Sequence, residues 1–366
     1  MSAGAALTEF RDPVEARVGA RTIRFLNLLR GVAVLLVVYD HLGAIWPEAK
    51  GRSWIVTRTV RRWVTEPLGI IQDFGFLGVA IFFLISGFII THVGQRESRL
   101  QFAVKRVLRI YPPLIVAILV IVGITVVQGR ELDTLGTYLR SFTLVNYFSV
   151  PQTVVHGAAW TLVVEMLFYV AVFLVLPLLR SRPQVANLLV LLGVALIIAE
   201  SKDHGGNFFL FAASVAYVPY LLLGQLVYLR WVRRITVAEY AALSVATYVV
   251  AVFGLRRIHT AFLPADNSYL ISATIAFAIF VAALTFEESI RIPRAISFTS
   301  TISYSLYLLH GAIGFFVLDE LVGRIPFTLA IVVAVVVSIA ASWVSYRLVE
   351  APSQRAARWI LARLAR

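Results

Sequence analysis

The chain has 366 residues, 60% hydrophobic and 14% charged, with a mean hydropathy of +0.84, whereas a soluble domain runs at about 45–50% apolar and about 25% charged. That surplus excludes a single water-soluble core and makes lipid part of the solvent. Lys and Arg number 33 against 20 Asp and Glu, a net +13, but they fall mainly between apolar runs, where membrane proteins keep their orienting charges, so nucleic-acid binding is set aside. The absence of cysteine excludes disulfides, thiolate metal sites and a cysteine nucleophile.

Residues 1–24 carry Arg11, Arg17, Arg21 and Arg24 without the apolar core of a signal peptide, so they are expected to persist as part of a cytoplasmic tail over 1–25. A spanning helix needs about 20 mostly apolar residues, and such runs occur at 26–46, 74–93, 112–128, 158–180, 185–200, 208–229, 235–254, 268–286, 298–319 and 326–348. The third and fifth are short. The runs are too continuous for barrel strands, which alternate. The expected fold is all-α: a polytopic membrane protein with about ten transmembrane helices in one domain, 26–348, and a second cytoplasmic tail, 349–366. No internal repeat is visible.

With both termini cytoplasmic, the inward segments hold 20 Lys and Arg and the outward ones 11, which favours that orientation in a cell inner membrane. The outlier is the outward segment 47–73, where Trp54, Ile55, Trp63 and Val64 interleave with Arg58, Arg61 and Arg62. That pattern suits either a helix lying in the interface or a solvated loop.

Ionisable groups inside spans are costly and become functional candidates. Arg30 and His41 lie eleven residues apart in the first span, about 1100° of rotation and so within about 20° of one face, with a rise of about 16 Å. Arg30 can also simply snorkel, and His41 can be a bonded core histidine. Glu165, in the fourth span with Trp160, Thr161 and Tyr169, counts to a depth similar to His41, where a carboxylate could orient the imidazole. Equally, it could be protonated and bonded to a neighbouring helix. Arg106 and Arg109, three apart in the run Lys105–Pro112, would form a phosphate clamp or a plain positive-inside anchor. Tyr304, Tyr307 and His310 form a polar stripe that suits either a cavity or helix bonding. His92 sits at a span end, and His156, His204 and His259 are assigned to outward loops. No spacing resembles a zinc site, no glycine-rich phosphate loop or nucleophile elbow is present, and no metal is expected.

Six segments taken together resemble the acyltransferase-3 family of integral membrane enzymes: FLNLLRGVAVLLVVYDHL (25–42), GFLGVAIFFLISGFIIT (75–91), FAVKRVLRIYPPL (102–114), AAWTLVVEMLFY (158–169), SYSLYLLH (303–310) and YRLVEAP (346–352). The resemblance spans nearly the whole chain. It implies transfer of an acyl group, most often acetyl, from cytoplasmic acyl-CoA to a hydroxyl of a carbohydrate or other acceptor, such as an envelope polysaccharide or glycolipid. The family's arginine–ten residues–histidine arrangement falls on Arg30 and His41, its Arg-x-x-Arg pair on Arg106 and Arg109 followed by Tyr111, and its Trp…Glu…Phe-Tyr signature on Trp160, Glu165, Phe168 and Tyr169. His41 and Glu165 are thus expected to be catalytic and Arg30, Arg106, Arg109 and Tyr111 to bind acetyl-CoA. Ser86, Trp160, Tyr304, Tyr307 and His310 are expected to line the cavity. Many members carry a second acid where this chain has Met166, and some carry a C-terminal esterase-like domain that does not follow before Arg366. Direct transfer and an acyl-histidine intermediate both remain open. The competing class is a proton-coupled carrier or flippase, which also uses intramembrane His and Glu.

Overall fold

The structure, a computed structural model, describes residues 23–258 and 268–364. The first 22 residues, with Arg11, Arg17 and Arg21, lie outside the described residues, as does His259. The hydrophobic helices are α1 (Arg24–Ala49), α2 (Gln72–Gly94), α3 (Arg99–Val127), α4 (Gly157–Ser181), α5 (Pro183–Ala199), α6 (Gly205–Trp231), α7 (Val237–Arg257), α8 (Ser268–Thr285), α9 (Arg294–Thr301), α10 (Ser303–Leu321) and α11 (Phe327–Leu364). Among the described residues eight of these are long and apolar enough to cross a bilayer, α9 and α10 form a pair bent by 80° that is a broken span or a re-entrant loop, and α5 is shorter at 17 residues. The described residues contain no strand beyond one isolated bridge between Val322 and Ile325. The chain is an all-α polytopic membrane protein.

Three elements depart from the sequence boundaries in ways that matter for the site. Helix α3 starts at Arg99 rather than near residue 112. A capping box stabilises its start: Gln101 N donates to Ser98 Oγ at 3.2 Å and Ser98 N donates to Gln101 Oε1 at 3.0 Å. The helix then passes through Pro112 and Pro113, whose missing N–H groups leave the carbonyls one turn earlier without intrahelical partners. Arg106 and Arg109 therefore sit inside a continuous helix and not at the edge of one. The ninth hydrophobic run breaks at Ile302, so α10 begins with Ser303 and Tyr304 inside the bundle. The last run continues through a π turn, Tyr346–Glu350, and the residues expected as a tail form a helix packed on α3.

Helix α2 lies at the centre, with 78% of its apolar window buried and α1, α4, α6 and α8 packed around it. A helix apolar on every face can be enclosed in this way. Its closest neighbour is α6, because two glycines let the backbones meet. A Cβ on Gly87 would lie 1.8 Å from Leu221 O, and one on Gly224 would lie 2.1 Å from Leu84 O. Helix α1 carries its own π turn, His41–Ile45, which begins at the intramembrane histidine; such turns are frequent at functional sites.

The segment before α2 is helical over Ile55–Val60, Arg61–Thr65 and Glu66–Leu68, with Trp63 70% exposed under the Arg62 guanidinium. Gln72, Asp73 and Phe74 all take left-handed backbone angles, a strained turn held from outside. Arg61 Nε donates to Asp73 Oδ1 at 3.1 Å, and Gln72 Nε2 donates to the Tyr269 hydroxyl at 3.1 Å. Asp73, as hydrogen-bond partner, and Glu48 raise the Arg61 guanidinium above its ordinary pKa.

Gly87→Ala is expected to destabilise the protein by about 1–3 kcal/mol or more, the cost of overpacking a tight contact, read as a lower melting temperature in detergent. Alanine at Gly123, whose Cβ position is open, is the control and should melt like the parent.

Candidate active site

Four helices, α1, α3, α4 and α10, line both of two cavities stacked along their length, and α2 completes the wall of the first. The first, about 70 Å³, is lined by Arg30 from α1, Phe82 and Ser86 from α2, Arg109 from α3, Thr161 and Glu165 from α4, and Ser303, Tyr304 and Tyr307 from α10. The second, about 260 Å³, is lined by His41 from α1, Thr125, Gln128 and Arg130 at the end of α3, His156 and Ala158 at the start of α4, and His310 and Asp319 from α10. The same four helices thus contribute arginines and hydroxyls at one level and histidines at the other.

In the arginine cavity the charges are matched. Ser86 Oγ donates to Glu165 Oε1 at 2.9 Å, and the Tyr169 hydroxyl donates to the same oxygen. Glu165 interacts electrostatically with both Arg30 and Arg109. The Tyr304 hydroxyl donates to Ile110 O at 2.9 Å, in the turn of α3 interrupted by the two prolines. A second carboxylate faces the same arginines from the π turn of α11. Glu350 is buried, accepts from Ser305 Oγ at 2.7 Å, and interacts with Arg109 and Arg30. Two cations, two carboxylates and a ring of hydroxyls thus share one site, in which the guanidiniums can offer N–H groups to an oxygen of a bound group.

The two arginines of the Arg-x-x-Arg pair have different surroundings. Arg109 lines the cavity. Arg106 is buried, lies 3.4 Å from Glu97 Oε2, and sits over the Phe102 and Tyr169 rings at 5.5 and 5.9 Å. Lys105 holds the other oxygen of Glu97 at 2.7 Å. Tyr111 is half-buried against the core and lines neither cavity. Trp160 stands behind the cavity wall, its ring 4.9 Å from Tyr217 and 6.1 Å from Phe83.

In the histidine cavity His41 Nδ1 lies 2.9 Å from Val37 O. A carbonyl only accepts, so Nδ1 carries the proton and Nε2 keeps its lone pair. The side chain is 24% exposed, so the imidazole is reachable from the cavity. His310 is fully buried with Nδ1 donating to Leu306 O at 2.9 Å, and its ring meets that of His41 edge-on at 4.7 Å. His156 is also buried and donates from Nε2 to Leu308 O at 2.7 Å. Among the described residues no three His, Asp or Glu side chains converge so as to hold a metal ion.

The structure does not bring Glu165 to His41, as the depth count suggested. Ala158, at the level of His41, and Glu165 are seven residues apart on α4, about 10 Å of helix, and Glu165 faces the arginines. His41 is oriented by its own helix backbone instead. Two residues escaped the sequence reading. His156 was assigned to an outer loop, yet it folds back one turn before Trp160. Glu350 lies in the segment YRLVEAP but fell in the expected tail 349–366, and an acid two residues beyond the last apolar run was the available signal.

The acyltransferase-domain profile of the acyltransferase-3 family matches residues 23–347. Among curated proteins the chain is 29% identical to nodulation protein 10 of Rhizobium leguminosarum bv. viciae, across 64% of this chain and 70% of that one. It is 24% identical to the O-acetyltransferase OatA of Staphylococcus aureus (strain NCTC 8325 / PS 47), across 93% of this chain. The alignment covers only 59% of OatA's own length. No solved structure matches. The chain, with its family profile running from the start of α1 into α11 across every residue that lines the two cavities, belongs to the acyltransferase-3 family.

Proposed function

We propose that this protein is an O-acetyltransferase of the cell inner membrane, moving an acetyl group from cytoplasmic acetyl-CoA to a hydroxyl of an envelope polysaccharide or glycolipid. The observation that carries the reading is the stacking of an arginine cavity and a histidine cavity on the same four helices. The first suits the donor's charged and thioester-bearing end, the second an acceptor hydroxyl. The arginine cavity, at about 70 Å³, is far below the few hundred Å³ of a pocket that encloses a whole drug-sized ligand. It therefore holds part of the donor and not the whole molecule.

In the mechanism that follows, Arg109 and Arg30 attract and align the donor, with Glu165 and Glu350 holding both guanidiniums in place. The acceptor hydroxyl enters the histidine cavity and gives its proton to His41 Nε2 as its oxygen attacks the thioester carbon. The C–S bond breaks and the proton leaves with the thiol of coenzyme A. Attack by His41 itself, through an acyl-imidazole, uses the same lone pair. No observation favours a carrier, since the two cavities have unlike linings and no duplicated half is present.

The direct test is transfer of radiolabelled acetyl from acetyl-CoA into membrane glycans by vesicles containing the protein. His41→Ala should lower that transfer by about 10²–10⁴-fold while detergent yield and melting stay close to the parent. Near-parental transfer by the variant would remove His41 from the mechanism.

Arg109→Ala should raise the KM for acetyl-CoA about ten- to a hundredfold, the value of one charge-assisted contact at about 1.5–3 kcal/mol. Arg106→Ala should act chiefly on melting, because it leaves Glu97 to Lys105 alone and empties the space beside two aromatic rings. Equal KM effects from both variants would mean that both touch the donor.

The orientation is tested by labelling single cysteines from outside intact cells, on a chain that has none of its own. Exposed positions Ser53 and Lys202 should label and exposed Ser98 should not; labelling at 98 alone would invert the topology.

A further inference from the structure

The two cavities are divided by a wall one helical turn thick. On α4 the turn runs from Ala158, which lines the histidine cavity, to Thr161, which lines the arginine cavity; on α10 it runs from His310 back to Tyr307. Tyr307 bridges the two helices. Its hydroxyl accepts from Thr161 Oγ1 at 2.8 Å and donates to Ala158 O at 3.2 Å, both in buried positions. Its ring rests edge-on against Phe82 at 5.8 Å on one side and lies 6.1 Å from His310 on the other. His310 in turn touches His41. A group passing from the arginines to His41 has to cross where the phenol stands.

We propose that Tyr307, latched by Thr161 and the Ala158 carbonyl, determines which acyl group crosses from the donor cavity to His41. This rests on the acyl-transfer reading of the site. The latch is a discrete element with two positions. Closed, both hydrogen bonds are made and water in the histidine cavity is kept from the thioester; open, both are broken and the ring has swung aside. Buried hydroxyls bond strongly only when satisfied, so the closed form dominates until a substrate displaces it. The gap left by one ring is narrow, and the surrounding wall of Phe82 and Leu162 does not yield, so short acyl groups pass and longer ones are refused. Without the latch, water would attack: its oxygen bonds to the acyl carbon, the C–S bond breaks, and the proton ends on sulfur, giving a free carboxylic acid and coenzyme A.

Three variants separate the parts. Thr161→Val keeps the shape and loses the donor to Tyr307, Tyr307→Phe keeps the ring and loses both bonds, and Tyr307→Ala removes the ring. The readout is release of coenzyme A thiol from acetyl-CoA without an acceptor, followed with a thiol reagent on a protein that contains no cysteine. Thr161→Val and Tyr307→Phe should release thiol about two- to tenfold faster than the parent, as expected for loss of a buried neutral hydrogen bond. Tyr307→Ala should in addition turn over butyryl-CoA and hexanoyl-CoA, which the parent refuses. Parental rates in all three variants with an unchanged acyl preference would overturn the latch and leave the donor assignment standing. Thiol release by none of the four proteins would overturn the donor assignment and the latch together. If Tyr307→Ala fails to fold, the other two decide the matter by rate alone.

Discussion

Two guanidiniums enclosed by a bundle that faces lipid set the terms for the rest of this structure. A charge at the centre of a bilayer costs at least about 2.5–3.5 kcal/mol even on a helix free to adjust, and breaking one side of a buried pair costs more. Arg30 and Arg109 each interact electrostatically with carboxylates from two other parts of the chain, Glu165 on α4 and Glu350 on α11, which offsets part of that cost. Each carboxylate is itself held by a hydroxyl from a further helix, Ser86 on α2 and Ser305 on α10. The network draws α1, α2, α3, α4, α10 and α11 to one place. A helix packing alone through Leu and Val, against lipid tails just as apolar, has no comparable reason to choose its neighbours.

Close packing on one side makes room on the other. Helix α2 meets α6 backbone to backbone at Gly87 and Gly224, which holds it rigidly. The helices on its other side are interrupted instead: a π turn at His41, two prolines in α3, the break at Ile302 and the π turn at Glu350. Each interruption frees backbone groups or turns a side chain inward, and each falls beside one of the two cavities. Irregular backbone in a membrane is tolerated where it lines a cavity or is buried in protein.

The separation of the two levels also sets Glu165 apart from His41. His41 Nδ1 donates to Val37 O and lies 3.8 Å from Asp40 Oδ2, which leaves Nε2 with its lone pair. Glu165 is then free to neutralise the arginines.

The chain determined by itself that it would be helical and would span a membrane. Those properties follow from apolar runs of fixed length, and from the cost of bare peptide groups in lipid, which act along the local sequence. It also marked residues that the fold places at cavities, because an Arg, His or Glu inside such a run stands out against any background: Arg30, His41, Arg109, Glu165, Tyr304 and Tyr307 all line one. What it left open was which of them meet. Counting residues along antiparallel spans placed Glu165 beside His41, yet the spans tilt and bend, and an error of two turns moves a side chain by about 10 Å. Nor could spacing distinguish Arg106 from Arg109, which differ in whether Glu97 and two aromatic rings have claimed them, or bring His156 in from its loop. Those pairings are made between segments far apart in the chain, and only the tertiary packing of the helices decides them.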